Sequence, residues 1–285
     1  GRRDLEGRRL RAVGAPADRM AEDYLRVLRG YRFAARFDLA IEEATRSAMR
    51  AAAAGLETVS RERVREELLK MLAQTPAGEG RLTRTLECMH VDGALGQVLP
   101  EVARCAAVGP GERHAHDLLG HLFRAADAAP PDDPLLRFAM LVHDVGKPAT
   151  RSVDEGGRVH FDEHETVGAE QVGRLARRLA FSGDERSWLV EAVGRHMRLP
   201  DLRDGTTERQ LRRIGRDLKR VTLDDLLAIR VADRAARGGP AHALPETAVE
   251  RTARQIAAIR EKGQAMKIAD LAVDGTDVME ALDLS

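Results

Sequence analysis

The segment PLLRFAMLVHDVGKP, residues 134–148, constrains the fold more than any other. From Pro134 to Val142 only Arg137 is polar, so a helix here has no face to give to water and must be buried. It ends near Gly146 and so carries His143 and Asp144 into the interior, where ionisable groups require partners. Neighbours on a helix point about 100° apart, so both side chains reach one point only in a groove between helices. A polar helix end is the simple reading. A metal site is the chemical one, and it needs ligands from other helices.

The sequence offers such ligands. His121 lies in LLGHLFRAAD, His164 in FDEHETVGA, His196 in VGRHMRL and Asp233 in RVADRAARGG. Imidazole and carboxylate together suit Mg, Mn, Fe, Ni or Zn. The absence of clustered cysteine argues against a structural zinc site. His114, His116, His160 and His242 read as ordinary histidines without a ligand role.

Composition sets the background. At 3% aromatic and 43% hydrophobic, the core must be built from Leu, Val, Ile and Ala, which favours helices over a β-sandwich. At 32% charged the chain has the composition of an ordinary soluble protein, and 285 residues suffice for one or two domains. The formal net charge is zero, which excludes a whole-molecule field for nucleic acid. Only five of the 46 basic residues are lysine, so the chain is rich in arginine, the bidentate phosphate ligand. Cys88 and Cys105 form no motif and fit a reducing cytoplasm. No signal peptide or membrane span is found.

Helical periodicity dominates, and the fold class is all-α. Tyr24, Leu28, Tyr31 and Ala35 fall on one helix face within residues 17–55, with a short turn near 37–40. Residues 1–14 read as a strand edge or loop. A helix starts at Ser60, and TPAGEG (75–80) breaks the pattern. TRSVDEGGRVHFDEHE reads as a loop or small hairpin. Helices are expected at about 164–181, 183–198, 206–215, 222–236 and 246–262, with RGGPAHALPE as a loop. The clearest boundary is VGPGE (108–112), which gives a short edge at 1–15, a helical body at 16–110, a second helical domain at 111–240 and a C-terminal helical segment at 241–285. The chain opens without an initiator Met and closes within a helical pattern, so it is expected to be part of a longer protein.

The ordered pattern His121, His143-Asp144, Asp233 resembles the signature of the HD superfamily of metal-dependent phosphohydrolases. The resemblance covers residues 113–240. It implies that these four residues hold a divalent metal, and that His164 and His196 hold a second metal or contact phosphate. It implies that Asp144 and Lys147 belong to the catalytic centre, Lys147 orienting phosphate, and that water activated at the metal attacks a phosphoester. Nucleotides, cyclic phosphodiesters and RNA 3′ ends are the substrates it suggests.

The front of the chain carries a second resemblance. Residues 1–36 hold ten Arg against five acids. In EDYLRVLRGYRFAAR, Asp23 and Arg26 stand three residues apart, on one helical face; an acceptor beside a donor there can read the edge of a base, while Arg29 and Arg32 can hold phosphates. This stretch, with GRRDLEGRRLRAVG before it and SRERVREELLKML after it, resembles the neck of bacterial class II tRNA nucleotidyltransferases and the related poly(A) polymerases. That family implies that Asp23 and Arg26 select incoming CTP or ATP, and that Arg61, Arg63 and Arg65 touch nucleotide or RNA. Many of its bacterial members carry an HD domain behind this body, so the two resemblances agree. They imply tRNA or other RNA 3′ ends as partners, CTP and ATP as substrates of the parent enzyme, a cytoplasmic setting and no membrane, and they leave the oligomeric state open. The Gly-Ser motif and Asp-x-Asp pair that the family uses for nucleotidyl transfer are not present, so this chain alone is not expected to add nucleotides. CCA addition and A addition both remain open. The alternatives are a stand-alone HD phosphohydrolase and a non-catalytic RNA-binding module.

Overall fold

The computed structural model describes residues 1–109, 117–238 and 244–261. Helix α1 (Arg2–Glu6) is exposed, with an Arg2–Glu6 ion pair of 2.9 Å across one turn. Strand β1 (Arg9–Leu10) follows. The reading of residues 1–14 as strand edge or loop therefore holds for β1 and fails for residues 2–6, where an i, i+4 charge pair supports a turn of helix. Helix α2 (Pro16–Glu22) begins on a proline, which is pre-set for a first helical turn. Asp23 then breaks the pattern with extended backbone (φ −159°, ψ 104°). Its Oδ1 accepts the Leu25 N–H at 3.1 Å, and helix α3 (Leu25–Phe37) starts. The expected single helical face for Asp23 and Arg26 is thus corrected: Asp23 stands before the helix. An aspartate satisfies an exposed N–H at a helix start better than it serves a helix interior.

Helix α3 buries Leu28, Tyr31 and Ala35, the stripe expected from the sequence. It ends at Asp38, whose φ of +52° turns the chain into strand β2 (Ala40–Ile41). β1 and β2 pair in parallel, Arg9 with Ala40 and Leu10 with Ile41. Helices α4 (Glu43–Ala52), α5 (Arg61–Gln74), α6 (Arg81–Val91), α7 (Ala94–Val98) and α8 (Pro100–Ala103) complete the first half. Three of these elements meet on Asp92 at the end of α6, whose side chain is fully buried. It accepts from Tyr31 at 2.8 Å, from Arg46 at 2.9 and 3.0 Å and from Arg50 at 3.0 Å. Burial alone would raise its pKa; Arg46, Tyr31 and Arg50 outweigh it and hold the carboxyl below its ordinary value.

The second half contains α9 (Leu118–Ala128), α10 (Pro134–Val142), α11 (Lys147–Thr150), strands β3 (Ser152–Val153) and β4 (Val159–His160), then α12 (His164–Arg178), α13 (Gly183–Arg195), α14 (Glu208–Arg216), α15 (Leu223–Ala236) and α16 (Glu246–Glu261). β3 and β4 form the small antiparallel hairpin that the Glu-Gly-Gly segment suggests. Residues 136–142 of α10 are all buried, as an all-apolar helix requires. Side-chain capping boxes start α13 (Ser182 with Glu185), α14 (Thr207 with Gln210) and α15 (Thr222 with Asp225). The observed helices end up to three residues before the expected bounds at 181 and 198, where the last turns fray into bends. With only two-residue strands among the described residues, the fold is all-α. The proposed boundary at 108–112 lies partly, and the segment after residue 261 wholly, outside the described residues.

The two halves share one apolar core, and a buried arginine joins them. Arg137 is fully buried, and its hydrogen bonds among the described residues go to carbonyls rather than to a carboxylate. It donates to the carbonyls of Leu72 (2.5 Å) and Thr75 (2.7 Å) at the end of α5, and of Asp127 (3.1 Å) and Ala129 (2.8 Å) at the end of α9. Carbonyls at helix C-termini carry partial negative charge and lack intrahelical partners, so one guanidinium satisfies both ends. Asp127 works in the opposite direction: its carboxylate accepts the N–H groups of Gly80 (2.9 Å) and Leu82 (3.2 Å) and caps α6 from across the junction.

Two outcomes follow. Arg137→Met takes the guanidinium from four carbonyls, of which, among the described residues, only Asp127 O keeps another donor, the Gly78 N–H at 3.0 Å, and denaturant unfolding is expected to show a loss of about 3 kcal/mol or more. Asp92 has a folded pKa below its unfolded value. It therefore adds stability above the unfolded value of about 3.9, and the gain is lost as pH falls through the folded value. Asp92→Asn is expected to destabilise the chain at neutral pH, with the gap to wild type narrowing below about pH 4 in urea melts.

Candidate metal centre and nucleotide-facing helices

The end of α10 brings the expected ligands together. Met140, Val193 and Phe161 offer backbone carbonyls one helical turn before three of the histidines. His143 Nδ1 donates to Met140 O at 2.8 Å, His164 Nδ1 to Phe161 O at 2.8 Å and His196 Nδ1 to Val193 O at 2.7 Å. Such a bond fixes the proton on Nδ1 and presents Nε2 as a lone-pair donor. Asp144 stands between the rings. Its Oδ2 lies 3.3 Å from His143 Nε2 and 3.8 Å from His121 Nε2, and its Oδ1 lies 3.3 Å from His164 Nε2 and 3.5 Å from His196 Nε2. Asp233, from α15, places Oδ1 3.2 Å from His121 Nε2 and 3.8 Å from His143 Nε2. Lys147 Nζ donates to Asp144 Oδ2 at 2.5 Å and sits 5.7 Å from the Phe161 ring.

Five of the six candidate ligands are buried, with His164 the partly open one. Burial pushes His121 down, with Asp233 opposing. Burial also opposes the charged form of His143, but Asp144 outweighs it and raises that ring. Asp144 and Asp233 would both be raised by burial; His143 and Lys147 hold Asp144 far below the carboxylate range, and His121, His143 and Arg237 do the same for Asp233.

This donor set fits a divalent metal. Asp144 Oδ1 and His164 Nε2 are buried without a hydrogen-bond partner, though they lie in the same small space. His121 Nε2 and His143 Nε2 approach to 3.3 Å. Two sets of ligand atoms close enough for one ion occur, His121–His143–Asp233 and His143–Asp144–His196. Unpaired buried lone pairs are costly, and a cation satisfies them. The ordinary reading of His160 agrees with its place: it bonds Asp154 at 2.9 Å on the exposed hairpin. His114, His116 and His242 lie outside the described residues.

Gly146 explains the glycine of His-Asp-Val-Gly-Lys by space. A Cβ there would stand 2.1 Å from His164 O and 2.7 Å from Gly168 N. The backbone that carries Asp144 thus rests directly on the helix that begins with His164. The sequence reading placed the end of the buried helix near Gly146; α10 ends at Val142, and His143 to Gly146 form the turn between α10 and α11.

In the first half, the nucleotide-reading candidates are already tethered. Asp23 Oδ2 accepts from Arg63 at 2.8 Å, and Arg26 donates to Arg19 O at 2.6 Å and to Glu22 at 2.5 Å. Burial would raise Asp23, but Arg63 and the Leu25 N–H leave it lowered. Arg32 is buried against Glu67 at 2.5 Å, with Gln74 at 2.9 Å, while the exposed Arg29 reaches Glu67 only at 3.8 Å. Arg65 donates to the Ala180 carbonyl beside Phe181, and so bridges to the second half. Arg61 is half-buried. The sequence reading missed Glu22 and Glu67 as holders of these arginines, although i, i+4 spacing signals the Glu22–Arg26 pair. No described helix is long and apolar enough to cross a membrane.

Two outcomes test the centre. His143→Ala is expected to reduce bound divalent metal, read by elemental analysis after dialysis, to background. Gly146→Ala is expected to weaken metal binding at least tenfold while the circular dichroism spectrum stays helical, because the new methyl group forces α12 away from Asp144.

Comparison with known proteins fits both halves. Residues 38–105 match the family described as "Probable RNA and SrmB- binding site of polymerase A", and residues 112–238 match the HD domain. The chain is 35% identical to the A-adding tRNA nucleotidyltransferase of Deinococcus radiodurans, over 84% of this chain and 55% of that protein. It is 36% identical to the CC-adding tRNA nucleotidyltransferase of Thermus thermophilus, over 81% and 54%. It is 33% identical to the Multifunctional CCA protein of Xanthomonas campestris pv. campestris, over 96% and 66%. The chain therefore spans about half to two thirds of the length of these relatives. The crystal structure of the Bacillus stearothermophilus CCA-adding enzyme in complex with CTP shares the fold, with a TM-score of 0.65 at 20% identity over all of this chain and 58% of that one. The chain belongs to the tRNA nucleotidyltransferase family of CCA- and A-adding proteins, as its helical RNA-binding region joined to an HD domain.

Proposed function

We propose that this chain selects nucleotides and holds RNA 3′ ends for a tRNA nucleotidyltransferase, while its HD centre hydrolyses phosphoesters at such ends. The observation that carries the hydrolase half is the convergence of imidazole Nε2 atoms on both oxygens of Asp144. His121, His143, Asp144 and Asp233 would hold a divalent metal, with His164 and His196 completing a second position on the other oxygen of Asp144. Mg, Mn and Ni lead among the candidates, with Zn and Fe also suited to this donor set. When bound, such an ion supplies Lewis acidity and a water that loses its proton near neutral pH.

The chain's own residues do the rest. Lys147, anchored on Asp144, presents a positive charge at the one partly open side of the centre, where a phosphate oxygen can share its ammonium. Asp144 accepts that lysine and joins the two sets of imidazoles. The carbonyl-bound Nδ1 protons keep the rings from turning as charge develops on the phosphate.

In the first half, Asp23 offers an acceptor and Arg26 a donor for the edge of CTP or ATP. The contacts of Asp23 with Arg63 and of Arg26 with Glu22 hold both side chains before a base arrives. Arg29, and Arg32 behind it, supply phosphate charge; Arg61, Arg63 and Arg65 extend the basic face toward RNA. The Bacillus stearothermophilus CCA-adding enzyme, which shares this fold, was crystallised in complex with CTP, which supports a nucleotide as ligand. The setting for such RNA work is the cytoplasm.

The expected result is metal-dependent release of phosphate from a 3′-phosphate or opening of a 2′,3′-cyclic phosphate, lost on His143→Ala and on chelation. Asp23→Ala and Arg26→Ala are expected to weaken CTP and ATP binding at least tenfold, about 1.4 kcal/mol, without changing that hydrolysis. Unchanged nucleotide binding would point instead to a stand-alone HD phosphohydrolase. Absent metal and absent hydrolysis, with RNA still bound, would point to a non-catalytic RNA-binding module.

A further inference from the structure

Asp233 turns one carboxylate oxygen toward the imidazoles and the other, Oδ2, toward a face of arginines. Arg230, Arg234 and Arg237 recur on α15 at i, i+4 and i+7, and so share one side of that helix. Arg237 Nη2 donates to Asp233 Oδ2 at 2.9 Å, and Arg230 Nη1 stands 4.0 Å from the same oxygen. Arg234 Nη2 donates to Asp201 Oδ2 at 2.5 Å. Arg230 and Arg234 are only 9% and 8% exposed. The Nε atom of all three arginines is buried without a hydrogen-bond partner.

Among the described residues the charges here do not balance. Three guanidinium groups face two carboxylates, and Asp233 also serves the imidazole side. Orienting Asp233 takes one arginine, and Arg237 already does it. Burying a cation without its counter-charge is strongly unfavourable. Burial lowers the pKa of Arg230, and the like charges of Arg237 and Arg234 act in the same direction against Asp233 and Asp201. Three inward N–H groups with no acceptor and a surplus of positive charge describe a site whose missing component is an anion. The guanidinium fork, Nε with Nη, matches two oxygens of a phosphate.

We propose that Arg230, Arg234 and Arg237 form a phosphate-binding clamp beside Asp233, which holds a phosphate of the substrate other than the one hydrolysed. Its place narrows the substrate class. Arg237 Nη2 and Arg230 Nη1 stand 2.9 and 4.0 Å from Asp233 Oδ2, on the side away from the imidazoles, so a phosphate held there neighbours one held at the centre, as successive phosphates of an RNA strand do. The clamp then takes the phosphodiester that precedes a terminal phosphate, so a single nucleotide with one phosphate is a poor substrate. The assignment of that phosphate rests on the hydrolase reading; the clamp itself does not.

Titration of the intact chain with inorganic phosphate, with a chelator present, tests the clamp. Arg230→Met is expected to weaken phosphate binding at least tenfold and to raise the melting temperature of the phosphate-free chain, because it removes an uncompensated buried charge. Arg230→Lys, which keeps the charge and loses the fork, is expected to fall between the two in affinity. Phosphate affinity unchanged in Arg230→Met, or a lower melting temperature in both variants without phosphate, would overturn the clamp, the latter marking a purely structural arginine. With metal restored, Arg230→Met is expected to raise KM about tenfold for a dinucleotide ending in a 3′-phosphate, with little change in kcat, and to leave KM for a nucleoside 3′-phosphate unchanged. Equal effects on both substrates would overturn the two-phosphate assignment. A wild-type chain that hydrolyses neither would refute the hydrolase reading, and the phosphate titration alone would then decide the clamp.

Discussion

Arg137 is the fixed point of this structure. One guanidinium meets four carbonyls at the ends of two helices that belong to different halves of the chain. Its bond geometry sets how α5 and α9 approach, and α10, which carries it, is the helix that delivers His143 and Asp144. Asp127 completes the lock by capping α6 from the opposite side. Both charges here are bonded to helix ends, the guanidinium to carbonyls and the carboxylate to N–H groups. The first half and the candidate metal centre are therefore parts of one packed body, not beads on a linker.

The centre inherits its precision from that placement. α10 has no polar face, so it cannot rotate to relieve the burial of its ionic end. His143, His164 and His196 are held from behind by carbonyls and face Asp144 in front, and the carboxylates keep their charge because cations and rings outweigh desolvation. The side proposed to meet nucleotide is organised differently. There Arg26 and Arg63 are held by carboxylates at or near the surface, Glu22 and Asp23, while Arg32 is buried against Glu67. A ligand can compete for such contacts more easily than for the buried ones.

Much of this was legible in the sequence, for physical reasons. The run 134–142, apolar but for Arg137, could only be buried, and the histidines and aspartates that the structure brings together could be gathered by type and order. The stripe of Leu28, Tyr31 and Ala35 fixed the buried face of α3, and Glu-Gly-Gly marked the hairpin. What could not be read was decided by distant partners. Asp23 sits in a helical pattern, yet its preference for capping broke the helix. Asp92 and Asp127 look like surface carboxylates until Arg46, Arg50 and the start of α6 are brought to them. Arg137 looks like a flaw in an apolar helix, and only the two helix ends around it show its purpose. The arginines of α15 have a plain i, i+4, i+7 spacing, but their shortage of partners exists only in three dimensions.

The contact between Gly146 and Gly168 has one more consequence. At most sites the distance between two catalytic groups is set by interlocking side chains, and it drifts when those side chains change. Here the gauge is the thickness of the peptide backbone itself, since nothing separates the turn after Asp144 from the first turns of α12. The spacing between Asp144 and His164 is thus insulated from changes in the surrounding core. Leucine, valine and methionine can interchange around it while the two candidate ligands stay in register, and it is a gain of bulk at Gly146, where a Cβ would meet backbone at 2.1 Å, that would reset the gauge.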